Sequence, residues 1–161
     1  MKRFFALLSI LTAFAFFSGD LAFAGPEKDP LKARVPAKER GKAKKLKPPA
    51  NLYKKAKKAS AEIVAEGKKL FEGKGTCVNC HGKSGDGKGE AGKVLTPGPR
   101  DFTFCKFHKK RKDGELFWII KNGSPGTGMV AMIPATITEE EGWKTLAYER
   151  SFCKKYDKYR K

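Results

Sequence analysis

Cys77, Cys80 and His81 are the residues whose types and spacing can do chemistry. The run Cys77-Val78-Asn79-Cys80-His81 is C-x-x-C-H, the attachment signature of a c-type haem. Two thiols three positions apart on one helical turn can both reach the vinyl groups along one edge of a porphyrin. The resulting thioethers prevent loss of the group. His81, the next residue, can then give an imidazole nitrogen to the iron. A small disulfide loop or a thiol redox motif would use the same cysteines, but the redox motif expects a βαβ setting that this chain lacks.

A second axial ligand must come from a loop well separated from His81. A thioether there raises the reduction potential and suits electron transfer. The Gly126-Thr127-Gly128-Met129 loop meets that need, so Met129 is the preferred ligand and Met132 the alternative. A buried methionine is otherwise core filler. His108 is a further candidate, read more simply as a surface residue in a basic cluster. A zinc site is the rival for the cysteines: Cys105-Lys106-Phe107-His108 is C-x-x-H, and with Cys77 and Cys80 it would make a four-ligand ribbon. That reading leaves His81 and the methionine loop without roles.

The elements that must position these residues read as helices. Ser60 can cap a helix to about Gly73, with Ile63, Leu70 and Phe71 on roughly one face. Gly73-Lys74-Gly75 breaks it just before the cysteines. A glycine-rich loop runs from Gly82 to Gly98. Asp113 can cap a second helix, Gly114 to Lys121, stopped at Asn122-Gly123. Thr138 and Glu141 form a capping box that opens a third helix through about Phe152. No strand of convincing length appears. The expectation is an all-α domain over 59–153, with long loops packed against one covalently bound haem.

Outside that domain the chain changes character. Lys2 and Arg3, the apolar run Phe4 to Phe17 and the small-x-small site Ala22-Phe23-Ala24 read as a cleaved signal peptide over 1–24. An uncleaved membrane anchor is the lesser reading, because the run is short for a span. Residues 25–58, rich in lysine and proline, read as an extended tether. Residues 154–161 read as a basic tail. The expected location is the periplasm or another exported compartment.

The chain as a whole carries 35 Lys and Arg against 17 Asp and Glu, a formal charge of +18 over 161 residues. Such an excess attracts something acidic. An acidic redox partner protein is the expected target and an anionic membrane surface a second one. Nucleic acid is a poor target for an exported haem protein.

From Gly67 to about Phe152 the residues resemble the class I cytochrome c family of small bacterial type. Gly67-Lys68-Lys69-Leu70-Phe71 looks like the family's first helix, and Leu146-Ala147-Tyr148 like the last helix it crosses. Gly85 to Gly89, Pro99-Arg100-Asp101-Phe102 and Gly-Thr-Gly-Met are similar to its loops. The resemblance implies the cytochrome c fold, three main helices around one haem c. It also implies Met129 as axial ligand, and a loop proline, Pro97 or Pro99, whose carbonyl supports the axial histidine. A carrier of single electrons follows, with no enzyme activity and no small-molecule substrate. A five-coordinate haem enzyme or sensor is the alternative if neither methionine binds iron.

Cys105 and Cys153 remain outside the motif. In an oxidising compartment a disulfide between them is the preferred reading, pinning the last helix to the domain.

Overall fold

The computed structural model describes residues 29–53 and 59–154. The expected signal peptide lies outside the described residues, as does the basic tail beyond Lys154. The described helices are α1 (Ala37–Ala43), α2 (Ala61–Glu72), α3 (Val78–His81), α4 (Cys105–Lys110), α5 (Asp113–Asn122) and α6 (Glu139–Ser151), with a 3-10 turn at Glu90–Gly92. No strand occurs among the described residues, so the fold is all-α.

Local signals set the helix ends. The Ser60 hydroxyl accepts a hydrogen bond from the Ile63 N–H at 3.4 Å and caps α2. At the start of α6, Thr138 Oγ1 accepts from the Glu141 N–H at 3.2 Å, and Glu141 Oε2 accepts from the Thr138 N–H at 2.8 Å. That reciprocal pair satisfies two donors that a helix start otherwise leaves open. Asp113 was expected to cap α5 from outside. It is instead the first residue of the helix, and Glu115 Oε2 accepts from the Lys112 N–H at 3.0 Å. The Asp113 carboxylate is drawn to Arg150, 2.7 Å away.

The core forms where α2 crosses α6. Phe71 of α2 meets Tyr148 edge-on at 5.4 Å and Phe152 at 5.5 Å. Leu146 is fully buried beside them. α5 packs on the other flank of α6, where Phe117 stacks on Trp143 with ring centroids 4.0 Å apart.

The stretch 25–58 is not a free tether over its described part. Val35, Ala43 and Leu52 are buried, and α1 seats against the start of α5. A Cβ on Gly114 would lie 2.1 Å from the Ala43 carbonyl oxygen, so the glycine permits that close approach. The Arg100 guanidinium donates to the carbonyls of Pro30 and Lys32, and Arg111 donates to Leu31. The physical reason for the difference is that single apolar plugs and main-chain carbonyls hold this segment. Neither leaves a periodic pattern.

Candidate haem site

The cysteine motif sits on the short helix α3. The His81 N–H bonds the Cys77 carbonyl at 2.9 Å, closing one turn, and Gly82 at φ +75° ends it. Cys77 and Cys80 are free thiols, both half-buried. Burial pushes the Cys77 thiol up to about 12, with the Glu149 carboxylate adding to the effect.

His81 is gripped from two sides by one loop. Its Nδ1 lies 3.2 Å from the Arg100 carbonyl oxygen, and its ring stacks on Phe102 at 4.4 Å with 19° between planes. Desolvation lowers the imidazole to about 4; the Arg100 carbonyl opposes that shift and the Arg34 charge assists it. A neutral ring that donates Nδ1–H to a carbonyl keeps the lone pair of Nε2 for a metal. The supporting carbonyl belongs to Arg100 and not to Pro97 or Pro99. Both prolines line the cleft beside His81, but the chain turns so that the next carbonyl faces the ring. A carbonyl carries no signature in the sequence.

The cleft holds about 820 Å³ of atom-free space, part of it open to solvent. Its walls are largely apolar, with Leu95, Phe102, Phe107, Leu116, Ile119 and Ile120 among them. Cys80, His81 and Met129 line this one cleft. The methionine loop is tied by the Ser124 N–H to the Met129 carbonyl at 2.9 Å and by the Met129 N–H to Thr127 Oγ1 at 3.2 Å. Met132 is in the core cluster with Ile133 and Ile137 and does not line the cleft.

The zinc reading fails on the geometry. Cys105 is bonded to Cys153, with their α-carbons 5.2 Å apart. His108 is 1% exposed, not a surface residue, and both ring nitrogens are engaged, by the Phe102 carbonyl and by Arg150. Among the described residues no group of three or more His, Cys, Asp or Glu could hold a metal ion.

Several residues of the site were not anticipated. Lys32, Ala33, Arg34 and Val35 form part of the wall, so the N-terminal segment borders the cleft. Arg111 Nε and Ser124 Oγ are buried on the wall without a hydrogen-bond partner, as are Glu115 Oε1 and Glu149 Oε1. Buried donors without partners are costly. A flat apolar group carrying carboxylates would meet the walls and could accept from Arg111 Nε and Ser124 Oγ. The residues present therefore fit a haem: two thiols on one turn, an imidazole with Nε2 open, and a thioether on the same cleft.

A family model described as cytochrome c oxidase, cbb3-type, subunit III, matches residues 62–148, more than half of the chain. The chain belongs to this family. It is a class I c-type cytochrome, and the matched stretch runs from α2 through the haem turn and the methionine loop into α6.

The reducing HAO-like protein complex Kustc0457/Kustc0458 of Kuenenia stuttgartiensis superposes on this cytochrome with a TM-score of 0.52 at 26% identity. The match covers 58% of this chain and 45% of that one, so the cytochrome spans less than half of that relative's length. Cytochrome CL of Methylophaga aminisulfidivorans is similar at 24% identity and TM-score 0.42, over 56% of this chain and 55% of that one. The KustC0563 c-type cytochrome is similar at 26% identity and TM-score 0.44, over 54% and 96%. No curated protein matches the sequence.

Among the described residues no helix is long and apolar enough to cross a membrane.

Proposed function

We propose that this cytochrome is an exported monohaem carrier that passes single electrons between redox partners. One observation carries the reading: His81, with Nε2 left open by the Arg100 carbonyl, and Met129 line the same cleft beside Cys80. When bound, the haem supplies a one-electron couple. Cys77 and Cys80 would hold it covalently, His81 and Met129 would be its iron ligands, and the apolar walls would keep water away. With both side chains bound, no position on the iron would be left for a substrate, which favours a carrier over an enzyme. Export is supported by the leader-like residues 1–24, and an acidic partner by the charge of +18.

The test is the optical spectrum of the chain matured with haem-attachment machinery. The expected result is a low-spin c-type spectrum, with a far-red methionine–sulfur band in the oxidised state and pigment that resists acid–ketone extraction. A high-spin spectrum would replace this reading with the five-coordinate enzyme or sensor.

A further inference from the structure

The loop that grips His81 is itself braced by α4, which is held in turn from α6. Phe102 presents its ring to His81, and its carbonyl oxygen lies 2.6 Å from His108 Nε2. The other nitrogen of His108, Nδ1, lies 3.1 Å from Arg150 NH1, which also donates to the His108 carbonyl at 3.0 Å. A guanidinium has only donors, so Nδ1 must accept. The proton of a neutral His108 then sits on Nε2 and is donated to the Phe102 carbonyl. Burial, with the charge of Arg150 adding to it, lowers His108 to about 4, consistent with a neutral ring at neutral pH. Arg150 is held in turn by Asp113 and by the Arg111 carbonyl, at 2.7 and 2.8 Å. The Cys105–Cys153 disulfide joins the first residue of α4, which carries His108, to the chain just beyond α6, which carries Arg150.

We infer that His108, fixed in its tautomer by Arg150, is a positioning residue for the axial histidine: it locks the Phe102 carbonyl and so sets the ring plane of His81 and its hydrogen bond to the Arg100 carbonyl. The inference rests on the reading of His81 as the iron ligand. The physical link is short. Phe102 is anchored by its N–H to the Gly85 carbonyl at 2.7 Å and by its carbonyl to His108. Arg100 stands two residues before it. Freeing the Phe102 carbonyl lets the whole grip relax. A hydrogen bond from Nδ1–H raises the basicity of a ligating imidazole and favours the oxidised metal. Weakening that bond therefore raises the reduction potential.

The test compares the haem-loaded wild-type protein with His108→Leu and His108→Gln. Glutamine can donate to the Phe102 carbonyl and accept from Arg150; leucine can do neither. In His108→Leu the midpoint potential should rise and the low-spin EPR g-values should shift, while the far-red methionine–sulfur band persists. In His108→Gln both should stay near wild type. A folded His108→Leu protein with unchanged potential and g-values overturns the inference, as does a Gln variant that behaves like Leu. The tautomer is read independently in the wild type by 15N NMR, which covers a Leu variant that does not fold. A protonated Nε2 and bare Nδ1 on His108 support the brace, and the reverse overturns it. Absence of a low-spin spectrum in the wild type itself would mark failure of the haem-ligand reading, a different result from unchanged values in the variants.

Discussion

Gly67 of α2 faces Lys144 of α6 so closely that a Cβ on the glycine would lie 2.0 Å from the lysine's carbonyl oxygen. The same Cβ would stand 3.0 Å from the Cβ of Tyr148. The crossing of the two helices is therefore set by the absence of one methyl group. It matters to the site because α2 leads directly into the cysteine turn, where the Gly75 N–H bonds the Leu70 carbonyl at 2.7 Å.

Gly67→Ala should accordingly be severe. The obstacle is backbone, which cannot rotate away, so α2 and α6 must separate. A loss of about 3 kcal/mol in urea unfolding is expected, the upper end for overpacked sites. An unchanged midpoint would mean that the helices do not cross at this glycine.

The Cys105–Cys153 bridge closes a separation of 48 residues. Constraint of the unfolded chain over that length corresponds to about 4 kcal/mol. The double variant Cys105→Ser/Cys153→Ser should lose stability of that order in denaturant unfolding and keep its covalent haem. Equal stability with and without reductant in the wild type would remove the bridge from the account.

What the sequence made legible, and what it hid, divides along physical lines. The haem turn was legible because its chemistry is encoded in five adjacent residues. The caps at Ser60 and at Thr138 with Glu141 were legible because capping is local. The docking of residues 29–53 was hidden because Val35, Ala43 and Leu52 are isolated plugs with no common period. The support of His81 was hidden because its acceptor is the backbone carbonyl of Arg100, which no residue type marks, whereas the prolines either side of Gly98 stand out by type. His108 was masked by its neighbours: Lys106, Lys109 and Lys110 suggest a wholly exposed segment. One helical turn nevertheless sends Phe107 and His108 inward.

The two methionines should separate cleanly. Met129→Ala should abolish the far-red band and lower the midpoint potential, since a thioether ligand raises it. Met132→Ala should retain both the band and the potential while costing about 2–5 kcal/mol of stability as a core truncation. The opposite pattern would move the axial position to Met132.

Electron exchange with an acidic partner should slow steeply as salt rises. The charge of +18 acts on encounter rates over distances that ions screen. Stopped-flow rates over a salt series measure the slope, and a flat series would exclude electrostatic docking.

Glu149 gives the protein a pH dependence of definite sign. It is 6% exposed and lines the cleft, and its Oε1 has no hydrogen-bond partner. Burial pushes its carboxyl up to about 8; the Arg150 charge opposes the rise and the Asp113 charge adds to it. In the unfolded chain the same group titrates near 4.5. Between those values the folded state holds a proton that the unfolded state has released. The stabilising contribution of the neutral acid is thus complete below the unfolded value and is lost as pH rises through about 8. Glu149→Gln keeps the shape and removes the titration. The wild type should lose stability relative to this variant across that window, by an amount on the order of a few kcal/mol. Urea unfolding of both haem-loaded proteins at a series of pH values reads the difference. Parallel curves would mean that the carboxyl is already ionised in the folded protein across this range.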